Sequence, residues 1–223
     1  MRRRASRCAK NRCVRVSEIF FSIQGEGTRA GRPCVFVRFT GCDLRCTWCD
    51  TAYAFHGGAE RSREEILAEV GRHPCRLVLL TGGEPLLQPE LPALARELLD
   101  RGYEVAVETH GQRPLGDLPR EVIRIADVKT PGSGEVAGDL AWLDALEPHD
   151  EVKFVVDSEA DWRWSLDVIR RHRLPGRVAV LVSPVHGRVD PRDLARWILE
   201  SGVEARLNLQ LHKIVWGAEA RGV

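Results

Sequence analysis

Short runs of β-branched and apolar residues alternate with helix-forming segments along nearly the whole of this 223-residue chain. Strands are expected at VRVSEIFFSIQ (14–24), CVFVRFTG (34–41), RLVLLT (76–81), YEVAVE (103–108), VIRIADV (122–128), EVKFVV (151–156) and VAVLVS (178–183), with a last one near 205–211. Helices are expected over 63–72, behind a Ser62/Glu65 capping box, and over 89–101, 159–173 and 191–201, with a short one near 139–147. Glycine-rich loops fill 25–33 and 130–138. RLVLLT is apolar throughout, as befits a strand covered on both faces. Such regular alternation implies parallel strands joined by crossover helices. Six or so units are too few to close an eight-stranded barrel. The prediction is therefore an α/β fold, an open or partial (β/α) barrel of about six parallel strands with its chemistry at their carboxyl ends. No repeat or linker interrupts the pattern, so residues 14–223 are expected to form one domain behind a basic tail at 1–13.

The second strand runs straight into Cys42-x3-Cys46-x2-Cys49. Two readings compete. A structural zinc needs four ligands, and the fourth would have to come from Cys34 or His56. A [4Fe–4S] cube normally takes four thiolates. Three on one loop leave an iron open to chelate the amino and carboxylate groups of S-adenosylmethionine (SAM). The later run Thr81-Gly82-Gly83-Glu84-Pro85 follows a strand directly. It reads either as a tight turn or as backbone brought close to a ligand. Beside the cysteines, the second reading is favoured, with the methionine end of SAM as the ligand.

Seven cysteines without a secretory signal point to metal or redox chemistry rather than a disulfide framework. Cys34 and Cys75 fall in or beside apolar runs and are expected in the core; Cys8 and Cys13 are assigned no role. No apolar run is long enough to cross a membrane. The net charge of +1 conceals a gradient: seven Arg and Lys precede Glu18, and removing them from +1 leaves −6. An acidic remainder argues against nucleic acid as a partner, and a cytoplasmic location is expected. Arg38, inside an apolar strand, requires an anion: a carboxylate on the substrate, or an internal pair with Glu18 or Glu26.

Cys42–Cys49 as CxxxCxΦC and Gly82–Glu84 as GGE resemble the radical SAM superfamily, in which an electron from the reduced cluster cleaves SAM to methionine and a 5′-deoxyadenosyl radical. Glu108, ending the next strand, then suits the ribose hydroxyls, the alternative being an exposed strand-end carboxylate. EIFFSIQGEG (18–27) and GRPCVFVRFTGC (31–42) look like the 7-carboxy-7-deazaguanine synthases of queuosine biosynthesis. CDT (49–51), TGGEP (81–85), ETHG (108–111), DVKTP (127–131) and QLHK (210–213) continue the likeness over essentially the whole chain after the tail. The resemblance implies conversion of 6-carboxy-5,6,7,8-tetrahydropterin to 7-carboxy-7-deazaguanine with loss of ammonia, SAM being used catalytically. It also implies Mg²⁺, placed at Thr51, a homodimer, and a flavodoxin or ferredoxin as electron donor. Carried over residue by residue, Ile23, Gln24, Gly25, Glu26, Arg38, Thr81 and His212 meet the substrate, with His212 and Gln210 expected on the last strand. Trp48, Asp50, Gly82, Gly83, Glu84, Glu108, Asp127, Val128, Lys129 and Ser183 meet SAM. The chain departs from some relatives at Ser183-Pro184-Val185-His186, where they carry Gln-Pro-Met-Asp, and it runs ten residues beyond Lys213. The rivals are a glycyl-radical-enzyme activase, against which the QGEG segment counts, and a non-catalytic Fe–S or zinc module.

Overall fold

The computed structural model describes residues 13–135 and 138–223. The basic tail with Cys8, and two residues of the 130–138 loop, lie outside the described residues; Cys13 already opens the first strand. β1 (Cys13–Ile23) and β2 (Pro33–Phe39) pair antiparallel, and β3 (Ala59–Ser62) adds to the other side of β1. Then come β4 (Leu77–Gly82), β5 (Glu104–Thr109), β6 (Ile123–Val128), β7 (Glu151–Val156), β8 (Ala179–Pro184) and the two-residue β9 (Arg206–Leu207). The sheet order is β3-β1-β2-β4-β5-β6-β7-β8-β9, and every pairing from β2 to β9 is parallel. The edges β3 and β9 do not pair, so the sheet curls without closing. This is the expected partial barrel, with six full parallel strands and a stub.

Its helices are α1 (Arg63–Val70), α2 (Leu91–Asp100), α3 (Glu159–Arg171), α4 (Pro191–Ser201) and α5 (Leu211–Trp216). The capping box is formed: Glu65 N donates to Ser62 Oγ at 3.2 Å, and Ser62 N donates to Glu65 Oε2 at 2.8 Å. The expected helix near 139–147 is a short 3-10 turn at Ala141–Ala145. The last strand is cut to two residues because the chain turns inward at Asn208, whose backbone donates to Val182 O at 2.8 Å. From there the chain enters α5, so His212 and Gln210 sit in and at the cap of a helix, not on a strand.

Period-two alternation sorts each strand. Outward residues Val35, Val37, Val78, Leu80, Val105 and Val107 pack under α1 and α2, while Val152, Phe154, Val180 and Val182 pack under α3 and α4. Each such burial stabilises by about 1.5–3 kcal/mol. Inward residues Cys34, Phe36, Leu77, Leu79, Ala106, Ile123 and Ile125 form a third core inside the curl. Continued along the same face, the alternation reaches Arg38, Thr81, Glu108, Asp127 and Lys153. The interior thus passes from apolar at the amino ends of the strands to charged towards their carboxyl ends.

The loop after β1 crosses the amino end of this barrel. Gly27 N donates to Asn208 Oδ1 at 2.8 Å, Thr28 N to Glu151 Oε2 at 3.1 Å, and Arg29 pairs with Glu104 and Glu151. Gln24, Gly25 and Glu26 are thereby held against the cavity from below.

Candidate active site

A cavity of about 690 Å³ fills the polar half of the barrel. Its wall brings together Cys42, Cys46 and Cys49 with Trp48, Asp50, Thr51, Gly82, Gly83, Glu108, Asp127 and Lys129, and with Ile23, Gln24, Gly25, Glu26, Arg38, Thr81 and His212. Three residues named from sequence are not on that wall. Val128 is buried in the outer core. Ser183 is sealed beneath Asn208, whose Nδ2 donates to its Oγ at 2.8 Å. Glu84 is fully buried, and its carboxylate is already engaged: Oε1 accepts from Leu86 N and Thr109 Oγ1, and Oε2 from His110 N at 3.0 Å. Its side chain holds the turn and the start of the next loop; only its backbone stands near the cysteines.

That turn is built for close approach. Gly83 N donates to Phe39 O at 3.2 Å and Glu84 N to Gly41 O at 2.7 Å. A Cβ on Gly83 would stand 2.0 Å from Gly41 O and 3.0 Å from Cys42 Cβ. The far side of the cysteine loop is braced by a network that sequence reasoning missed. His110 Nδ1 accepts from Gln112 N at 3.1 Å, so Nε2 carries the proton and donates to Asp43 Oδ1 at 3.0 Å. Arg113 reaches the other oxygen of Asp43 at 2.6 Å.

The three thiols are partly buried, and burial pushes their pKa values up. Cys34 packs in the inner core with Phe36, Leu77 and Leu79, and His56 is not on the cavity wall. Among the described residues, no group of three or more His, Cys, Asp or Glu side chains is gathered tightly enough for a single ion. A tetrahedral zinc, with four ligands roughly 2.0–2.3 Å away, thus lacks its set. A four-iron cube is larger, needs its thiolates further apart and, with SAM as a ligand, takes three from the protein. The donor set fits the cube.

Charge is concentrated along the strands that line the cavity. Lys129 Nζ donates to Asp127 Oδ2 at 2.9 Å. Burial opposes both charges, but the pairing prevails: Asp127 is held low and Lys129 is pushed up to about 12. Lys153, which the sequence does not single out, pairs with Glu108 and Glu26. Arg38 Nε donates to Glu18 Oε1 at 2.8 Å, the internal pair that was one of the two expectations for it, and Tyr53 Oη donates to the same oxygen at 2.7 Å.

Helix α5 closes the remaining side. Leu211 N donates to Gly25 O at 3.0 Å, and a Cβ on Gly25 would stand 2.1 Å from His212 Nδ1. Lys213 Nζ lies 3.1 Å from Asp50 Oδ2, and Gln210 Nε2 3.4 Å from it. Partial desolvation resists ionisation of Asp50, but Lys213 and the Thr51 hydroxyl hold its carboxyl below the usual range. Burial lowers the pKa of His212.

Residues 36–198 match the family model of the Radical SAM superfamily. A 7-carboxy-7-deazaguanine synthase of Koribacter versatilis is 46% identical over 94% of this chain and the whole of its own. The enzyme of that name from Chlorobaculum tepidum is 42% identical over 94% of this chain and 97% of its own. The chain belongs to the 7-carboxy-7-deazaguanine synthase family. As a radical SAM enzyme it uses a [4Fe–4S] cluster and SAM, which sets aside the electron-carrier and zinc-module readings. The crystal structure of QueE from Escherichia coli superposes with a TM-score of 0.75 at 23% identity, over 90% of this chain and 95% of that one. SuiB of Streptococcus suis, bound to SAM, gives 0.53 at 15% identity over 76% of this chain and 44% of its own. Both show the shared fold. No helix among the described residues is long and apolar enough to cross a membrane.

Proposed function

We propose that this member of the 7-carboxy-7-deazaguanine synthase family converts 6-carboxy-5,6,7,8-tetrahydropterin to 7-carboxy-7-deazaguanine, contracting a ring and releasing ammonia, with SAM used catalytically. One observation carries the reading: the three-cysteine loop shares a single cavity with Gln24, Gly25, Glu26, Arg38, Thr81 and His212. That wall suits a flat, amide-like heterocycle bearing one carboxylate. Gln24 offers a donor and an acceptor to a ring edge. Gly25, bare of a side chain, lets His212 close against the backbone beside Gln24, so that the imidazole joins the wall the ring would meet. Arg38 supplies the cation for the carboxylate, with Glu18 holding the guanidinium at its Nε edge. When bound, the cluster and SAM supply the electron and the hydrogen-abstracting radical.

Cys42, Cys46 and Cys49 hold the cluster in this reading. The Gly82–Gly83 backbone, Trp48, Asp50, Glu108, Asp127 and Lys129 hold SAM, and Thr51 supplies an oxygen to Mg²⁺. Residues 14–223 act as one domain, the enzyme works in the cytoplasm as a homodimer, and a flavodoxin or ferredoxin reduces it. The test is anaerobic incubation of cluster-loaded protein with dithionite, SAM, Mg²⁺ and the carboxypterin. A product of the mass of 7-carboxy-7-deazaguanine is expected; SAM cleavage without that product would send the substrate elsewhere.

A further inference from the structure

Lys153 holds neither the cluster, SAM nor the pterin in the proposed reaction, yet it sits among the residues that do. Its side chain is only 6% exposed, in the middle of β7. A buried ammonium persists only among compensating anions, and Nζ has three. It donates to Glu108, donates to Glu26 Oε2 at 3.0 Å, and lies 3.7 Å from Asp127 Oδ2. Burial works against the charge, but the three carboxylates raise its pKa well above the ordinary value, so it stays an ammonium at any working pH.

The three anions come from three different places: Glu26 from the loop after β1, Glu108 from β5 and Asp127 from β6. In the proposed function, Glu26 faces the pterin, and Glu108 and Asp127 face SAM. A bridge serving only the fold would be expected to satisfy its own members. Here Glu26 Oε1 and Asp127 Oδ1 are both buried without a hydrogen-bond partner among the described residues. Both residues line the cavity, so each has one oxygen committed to a lysine and one still able to accept from a ligand.

The geometry points to Lys153 as a positioning residue that ties the pterin side of the cavity to the SAM side. Its ammonium links Glu26 to Glu108 and Asp127, so that a ligand fixing one carboxylate fixes the others. Without it, Glu26 and Glu108 would repel across the site and orient independently. The consequence is reciprocal: each ligand tightens the other by the same factor. The inference rests on the proposed function for which ligand each wall receives.

The test uses cluster-loaded enzyme kept anaerobic and without reductant, so that both ligands bind and neither reacts. SAM is titrated with and without saturating carboxypterin, and the pterin with and without SAM. Wild type should show mutual tightening of about 5- to 100-fold. Lys153→Met should bring that factor close to one with the visible absorption of the cluster unchanged, and Lys153→Arg should restore part of it. A lysine that only supports the fold would lower the melting temperature and leave the factor alone, which would overturn the proposal. Should Lys153→Met not fold, Glu26→Gln cuts the pterin-side arm of the link while keeping the ammonium and both SAM-side carboxylates, and full retention of tightening in that variant overturns it equally. Wild type that binds both ligands independently sinks the role of Lys153 and leaves the substrate standing. Wild type that takes up no carboxypterin sinks the substrate reading and this inference with it.

Discussion

Arg38 and Glu18 face each other across the β1–β2 ladder, and Arg38 Nε donates to Glu18 Oε1 at 2.8 Å. The pair is one-edged, and Tyr53 shares the same carboxylate oxygen. Glu18 therefore orients the guanidinium at the cavity wall, and the pairing is compatible with a substrate carboxylate on the other nitrogens. Arg38→Ala should lose the pterin reaction by roughly 1.5 to 3.5 decades, because truncating one member of a partly buried charge pair costs about 2–5 kcal/mol, with the cluster retained. Glu18→Gln keeps the arginine and should keep most of the turnover. Steady-state rates and cluster absorption on both variants check this; equal losses would make the pair purely structural.

Cys42, Cys46 and Cys49 line the cavity, whereas Cys34 is buried in the inner core and Cys75 packs against it, with its Sγ 3.0 Å from Pro33 O. Replacing any one of the first three by Ala should abolish the visible absorption and SAM cleavage. Cys34→Ala should leave both in place and cost about 1 kcal/mol of stability from the cavity it opens. Iron and sulfide assays with thermal melts separate the two outcomes.

The strands and helices legible in the sequence are those whose signal is local. The Ser62/Glu65 box and the apolar run at 76–81 depend only on neighbours along the chain, and both stand where expected. β3 is AERS, a polar, largely exposed edge strand with no apolar alternation to find. In α5, Ile214, Val215 and Trp216 are exposed, so its hydrophobic residues do not trace a buried stripe. The site divides in the same way. The cysteine spacing and the glycine pair are visible, but the direction of the Glu84 side chain is not, since its partners Thr109 and His110 lie at the end of another strand and just beyond it. The lysine in EVKFVV is visible too. Its meaning depends on the register that sets Asp127 beside Lys153 and on the loop that brings up Glu26.

The close approach of the glycine turn to the cysteine loop makes Gly83→Ala informative. Its Cβ would meet backbone at 2.0 Å, and neither the turn nor the loop can yield cheaply. The variant should bind SAM at least tenfold more weakly and lose cluster on desalting, while its far-ultraviolet circular dichroism stays close to wild type. Normal SAM affinity would mean that the turn has no contact with the ligand.

Glu84 accepts from Leu86 N, Thr109 Oγ1 and His110 N in a site closed to solvent. Glu84→Gln keeps the shape but replaces one accepting oxygen by an amide donor, leaving a buried donor unmet. The cost should be about 2–4 kcal/mol, or a melting temperature lower by roughly 5–15 °C for a protein of this size. Calorimetry on the cluster-loaded enzyme gives the number. An unchanged melting temperature together with lost SAM binding would instead place the side chain on the cofactor.

Thr51 Oγ1 donates to Asp50 Oδ1 at 2.9 Å, and Asp50 is fixed in turn by Lys213 at 3.1 Å. With its proton given to Asp50, the hydroxyl keeps lone pairs for a cation, and Thr51 lines the cavity two residues beyond the last cysteine. Mg²⁺ asks for six oxygens in an octahedron and keeps several waters, so one protein oxygen and a substrate carboxylate suffice to hold it. The alternative is that the hydroxyl serves only to steady Asp50. The two roles part under substitution. Thr51→Ser retains the oxygen and should keep the response to Mg²⁺. Thr51→Ala should respond weakly, with its cluster unaffected. After chelator treatment, product formation is followed against added Mg²⁺ for all three proteins. Strong activation of wild type and the serine variant, with a shallow response from the alanine variant, assigns the ligand. Equal activation of all three removes Thr51 from the metal and leaves it as the brace of Asp50.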